Sequence, residues 1–178
     1  MRARTSSLVP VGIRRARNLA LLDAVDICPR SSYRGTVWRV VREGRSPLDG
    51  IRADSGGFSF LHTALEADGA IAEVAYHLSQ QPVFPSRYRV VLHEIRINAT
   101  AVLFDIEKKL HSYCVDPQVI CEAAAFLGFD ALVTPNARYP CANLMLFLNE
   151  TPPKQLDVVA EEPVDLVRWF DGTLAGDK

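Results

Sequence analysis

Four histidines and four cysteines are the first residues in this 178-residue chain to examine for chemistry. His62, His77, His93 and His111 match neither HxxxH nor HExxH, the spacings that aim two side chains at one metal from a helix. Cys28, Cys114, Cys121 and Cys141 form no CxxC pair. Neither a metal site nor a redox dithiol is expected, and the cysteines read as reduced thiols. Phosphate loops of the GxxxxGK[ST] and GxGxxG types are absent, as is a GxSxG nucleophile elbow. Arg39 is different, because it interrupts an apolar run, VWRVV. Strand alternation puts Val37, Arg39 and Val41 on one face, so the guanidinium is expected to be partly buried and to need an anionic partner. A structural ion pair and an anion site in a cleft both satisfy that need. Glu73 and His77 are four apart and share a helix face away from the stripe of Ile71, Val74, Ala75 and Leu78. Spacing alone reads them as solvated surface. Asn136 and Arg138 read as turn residues, and Trp38, Phe58 and Phe60 as core.

The elements that must carry these residues follow from periodicity. An amphipathic helix is expected from Ile13 to about Val25, after a loose arm ended by Pro10 and Gly12. Strands are expected at Thr36–Val41, Phe58–Leu65, Tyr88–Ile97, Ala101–Phe104, Ala131–Val133 and Asn143–Leu148, with an edge strand at Leu156–Val159. Ser46–Gly57 has loop composition. Asp68 is expected to cap a helix running to about Ser79, Asp105 one to about Ser112, and Asp116–Pro117 to start one ending near Leu127 before Gly128. The mixture lacks a regular βαβ alternation, which predicts an α+β fold over a doubly wound nucleotide fold.

Composition bounds the remaining possibilities. The chain is 48% apolar and 23% charged, which describes one globular domain with a sizeable core. No apolar run approaches the roughly 18 residues of a membrane-spanning helix, and no signal-peptide pattern opens the chain, so a cytoplasmic protein is expected. Residues 1–52 carry eleven Lys+Arg against four Asp+Glu, whereas the rest carries nine against seventeen. That asymmetry fits an acidic partner or anionic ligand. The arginines are too dispersed, and nucleic-acid signatures too absent, to predict direct nucleic-acid binding.

Four ordered blocks together resemble the RES domain family, the toxins of bacterial RES–Xre toxin–antitoxin pairs. They are VWRVV (37–41), SPLDGIRADSGGFS (46–59), LHTALEADGAIAEVAYHL (61–78) and FLGFDALVTPNARYPCANLMLF (126–147). The resemblance implies an ADP-ribosyltransferase-like single domain, α+β with mixed, mostly antiparallel sheets and flanking helices. It implies a catalytic domain over 31–178 behind an N-terminal arm and helix at 1–30. It implies NAD as substrate, no metal, and a cognate Xre-like antitoxin as partner. The family arginine falls on Arg39 and its glutamate on Glu73, while the family serine falls on Asn136. Two further departures are His62, where the family usually has tyrosine, and a loop in which Gly56-Gly57 runs straight into Phe58-Ser59 without the usual arginine. Glu73, Arg39 and Asn136 are the implied catalytic residues. Arg39, Arg52, Ser59, His62, Trp38 and Phe58 are the implied contacts to NAD. Water, phosphate or a protein side chain remain open as acceptors of ADP-ribose, and a non-catalytic module that only binds an antitoxin remains the alternative.

Overall fold

The computed structural model describes residues 19–52, 59–82, 88–99, 101–105, 117–148 and 155–169; Phe58, the Gly56-Gly57 pair, the arm and the helix expected after Asp105 lie outside them. In chain order the elements are α1 (Leu19–Asp26), β1 (Ser31–Tyr33), β2 (Thr36–Arg42), β3 (Ile51–Arg52), β4 (Ser59–Ala64), α2 (Ala67–Ser79), β5 (Val90–Ile97), β6 (Ala101–Asp105), α3 (Pro117–Phe126), β7 (Ala131–Pro135), β8 (Ala142–Phe147) and β9 (Leu156–Val164). The strands form one sheet in the order β1-β6-β7-β8-β4-β2-β5-β9, with β3 on β4 outside that path. Among the described residues only β6 and β7 pair in parallel. This is the α+β, mostly antiparallel single domain expected from the sequence.

Most boundaries lie within a residue or two of expectation, and the differences have local causes. β9 extends to Val164 because eight of its residues pair with β5 across a register shift between Glu94 and Ile95. Pro163 is tolerated there because β9 is an edge strand, where a missing N–H removes no ladder bond on the free side. Asp68 is not the cap of α2. Glu66 holds that position with extended backbone and no side-chain cap, and Asp68 lies in the first turn, where its charge still suits the helix dipole. β3 interrupts the stretch expected to be loop, and β1 lay outside the expected strands.

Apolar periodicity sorts side chains to the two sheet faces. α1 and α3 cover one end through Leu21, Val25, Ile120 and Ala124, which pack on Phe104, Phe129 and Phe147. α2 covers the β2–β5 end of the same face through Ala70, Ile71 and Ala75 against Val40, Ala64 and Val90. The opposite face buries Val37, Leu61, Ile95, Leu144 and Leu146.

What opens a cleft is the way β4 divides one edge between two partners. Its other edge pairs continuously with β8 from Phe60–Phe147 to Ala64–Asn143. On the divided edge, β3 takes Ser59 and Phe60, while β2 pairs only at Trp38–Ala64. Beyond Trp38, β2 departs along β5. The chain leaves it through a tight turn at Gly44, whose φ of +80° favours a residue without Cβ, and returns at β3. The separation of β2 from β4 leaves a gap beside His62, roofed by α2.

Candidate functional site

The gap is a cleft of about 480 Å³ lined by β2, β3, β4, α2 and β8. Trp38, Val40, Ile51, Phe60 and Met145 give it apolar walls, and Glu73, His77, His62, Asn143, Thr63 and Arg39 supply its polar groups. Alternation along the strands directs Trp38, Val40, His62 and Asn143 to the α2 side, so the sheet and the helix face one another across the space.

Glu73 is the acidic residue of this cleft. Its side chain is only 18% exposed, so the solvated-surface reading of the Glu73–His77 spacing does not hold for the glutamate; it does for His77, whose side chain is 74% exposed. Glu73 Oε2 lies 3.8 Å from His77 Nε2, and Oε1 accepts a hydrogen bond of 3.1 Å from Asn143 Nδ2. In the sequence Asn143 reads only as the first residue of an apolar strand; its partner stands 70 positions away, so no local spacing connects the two. Its one signal is a lone carboxamide in the run ANLMLF.

Asn136 sits behind this contact, 8% exposed, and is not among the described residues that line the cleft. Its Nδ2 donates to Gly69 O at 3.1 Å and to Asn143 Oδ1 at 3.0 Å. The turn around Asn136 grips α2 at further points. The Arg138 guanidinium lies 3.3 Å from the Tyr76 ring centroid, and the Tyr139 hydroxyl reaches Asp68 Oδ2 at 3.3 Å. Asp68 raises the Tyr139 pKa, and burial together with Glu66 pushes the Cys141 thiol up. Gly69 makes the approach possible: a Cβ there would fall 2.3 Å from Cys141 Sγ and 3.2 Å from Asn136 Nδ2.

Arg39 stands at the gap between β2 and the returning loop, half-buried. Its Nη1 donates to the carbonyls of Pro47 at 2.7 Å and Asp49 at 2.9 Å. Neutral carbonyls thus take hydrogen bonds that were expected to need an anion, while the Asp49 carboxylate acts at longer range. Burial lowers the Arg39 pKa from its ordinary value and Asp49 opposes that shift. Arg39 also borders a neighbouring pocket of about 430 Å³ that carries Arg42, Arg45, Asp49 and Tyr88. Arg39 is both clamp and cation: one guanidinium shapes the loop and keeps positive potential at the cleft.

His62 lies opposite Glu73 on β4. Desolvation lowers its pKa, Glu73 raises it, and Arg39 and His77 lower it, with the net direction down. It is therefore a neutral imidazole near pH 7. Trp38 lines the cleft beside it. Ser59 pairs with Arg52 in the β3–β4 ladder and is not among the described residues lining the cleft. Only the backbone of Arg52 is described, and Phe58 lies outside the described residues. Of the expected residues the structure therefore gathers Glu73, Arg39, His62 and Trp38 around one space, with Asn136 one residue behind.

Among the described residues no group of three or more His, Cys, Asp and Glu could hold a metal ion, and no helix is long and apolar enough to cross a membrane. The fold is similar to a chain in the crystal structure of the M. tuberculosis MbcT–MbcA toxin–antitoxin complex, with a TM-score of 0.71 at 19% identity, covering 88% of this chain and 98% of that one. No curated protein sequence matches the chain. The RES domain family model matches residues 14–169, which takes in both sides of the cleft, α2 and the turn behind it. The chain belongs to the RES domain family.

Proposed function

We propose that this chain is the toxin of a toxin–antitoxin pair, and that its cleft cleaves the nicotinamide–ribose bond of NAD and transfers ADP-ribose to a protein. The observation that carries the reading is Glu73, a carboxylate only 18% exposed and fixed by Asn143 inside an otherwise largely apolar cleft. The bond that breaks joins ribose C1′ to the pyridinium nitrogen. Its electron pair leaves with nicotinamide, which departs neutral, so the site needs no strong general acid. The ribose carries the positive charge in an oxocarbenium-like transition state, as at other glycosidic centres. A preoriented carboxylate stabilises that charge and holds the ribose hydroxyls. Trp38 offers a flat apolar wall and neutral His62 a hydrogen-bonding one for the nicotinamide ring. Arg39, with Arg42 and Arg45 in the adjoining pocket, supplies the positive field for the pyrophosphate.

Similarity to the toxin–antitoxin complex supports an antitoxin partner, which we take to be Xre-like, and a cytoplasmic setting follows from an intracellular NAD pool. Residues 31–178 are proposed as the catalytic unit. α1 then braces it from the preceding segment, since Leu21 and Val25 pack into the same core as α3. Expression of the chain should arrest bacterial growth, and Glu73→Gln should abolish the arrest. With adenine-labelled NAD and cell lysate, label on a protein band supports transfer to a protein. Label recovered as free ADP-ribose or its phosphate would instead assign hydrolysis or phosphorolysis. A folded chain that binds an antitoxin tightly but is not toxic would replace the enzyme with a binding module.

A further inference from the structure

The polarity of the amide chain behind Glu73 is fixed at its far end. Asn136 Oδ1 accepts the backbone N–H of Arg138 at 2.8 Å and of Tyr139 at 3.1 Å. A carboxamide has one accepting end and one donating end, and two N–H groups can be met only by the oxygen. Asn136 Nδ2 must therefore point the other way, to Gly69 O and Asn143 Oδ1. With its oxygen engaged, Asn143 has only Nδ2 to offer, and that group reaches Glu73 Oε1. Both asparagines are buried, at 8% and 3% exposure, where an amide facing the wrong way would leave unpaired polar atoms.

We propose that Asn143 is a positioning residue that holds the Glu73 side chain in one orientation through its Nδ2 donor, and that the turn at 136–139 dictates this by imposing donor polarity through Asn136. The catalytic meaning rests on the proposed function, but the relay is a property of the fold and is tested separately. The other titratable groups facing Glu73 are His77 on its own helix, His62 on β4, Cys141 in the turn and, across the cleft, Arg39 on β2. Of these, Cys141 also contacts the Asn136 side chain, so Asn136→Asp changes its surroundings, whereas Asn143→Leu leaves that contact in place.

The test is the chemical shift of the Glu73 carboxyl carbon, read by NMR at one fixed pH in the full chain with labelled glutamate, its signal identified by loss in Glu73→Gln. Asn136→Asp keeps the acceptor for the two backbone N–H groups but removes the donor. Asn143 must then turn over and present its oxygen to Glu73, two residues removed from the change. The Glu73 carboxyl signal should move in Asn136→Asp, which also adds a negative charge near the pair, and in Asn143→Leu, which removes the donor without adding charge. Asn143→Leu has similar volume, so its effect is assigned to the lost hydrogen bond, and it carries the test if Asn136→Asp does not fold. NAD consumption by the same samples should show kcat down at least about tenfold with KM little changed, the pattern of an interaction made in the transition state. An unchanged Glu73 carboxyl signal in folded Asn136→Asp and Asn143→Leu would overturn the relay. A moved signal in a protein that consumes no NAD would uphold the relay and sink the functional reading instead.

Discussion

At the scale of single residues, the site is a set of charges tuned by what each one touches. His62 shows the consequence for pH. Its folded pKa is depressed, first by burial, so it is neutral above the ordinary histidine value of 6.5 and gains a proton only below it. A protonated imidazole would then face the cationic nicotinamide ring of the substrate. KM for NAD should therefore rise as pH falls below 6.5, and His62→Gln should flatten that limb. Initial-rate kinetics between pH 8 and 5 check this; a wild-type KM independent of pH would remove His62 from the binding surface. Residue types also show what the sequence withheld. Arg39 was legible as an oddity because a charge in VWRVV breaks a strand pattern. Its partners were not, since they are carbonyls in a loop whose path depends on where β2 leaves β4. Spacing read Glu73 as solvated surface. Only the family resemblance singled it out, because burial comes from a sheet that reaches it through tertiary packing.

At the scale of elements, α2 and the turn after β7 form one unit whose spacing is set by Gly69. Alanine there would drive a Cβ into Cys141 Sγ and against Asn136 Nδ2, so the thiol must turn away or helix and turn must part. Gly69→Ala should cost about 1–3 kcal/mol, the usual range for overpacking, and should lower NAD turnover by disturbing Asn136. Adding Cys141→Ala removes the obstructing sulfur and should recover part of both losses. Denaturant melts and turnover of the single and double variants measure it, and no recovery in the double would assign the loss to the helix alone. Longer elements were legible in the sequence because β-branched runs and apolar periodicity persist over five or more residues, as in β2, β5 and α2. The two- and three-residue strands β3 and β1 have no periodicity to read, yet β3 occupies part of the β4 edge and so helps define the cleft. The misassigned cap follows from the same limit: Asp68 has the right chemistry for a cap, but packing starts the helix earlier, after Glu66.

At the scale of the whole molecule, the sheet carries one titratable residue at a structural cost. His93 on β5 is 5% exposed, its Nδ1 has no hydrogen-bond partner among the described residues, and Glu161 Oε2 stands 3.8 Å away. Burial lowers its pKa, Glu161 raises it and Arg39 lowers it, with the net direction down. The unfolded chain therefore binds a proton at higher pH than the folded one. Stability from this group is fully present above pH 6.5 and is lost as pH falls through the depressed folded value. His62 acts in the same direction, so acid should unfold the protein in steps that include both. His93→Leu should remove its share of the acid slope and leave stability at pH 8 equal or higher, because it deletes an orphaned buried nitrogen. Thermal melts from pH 8 to 5 decide it; an unchanged slope would place the acid sensitivity elsewhere.

The functional reading turns on Glu73, so the most direct measurement is nicotinamide release from NAD by the purified chain, beside Glu73→Gln. The account predicts release by the wild-type protein, in buffer or once an acceptor is supplied from lysate. It predicts a loss of about 10²–10³-fold in Glu73→Gln at near-native stability, the scale expected when one transition-state stabiliser is removed. Equal release by both proteins, or none from a folded wild-type chain under every acceptor condition, would contradict it.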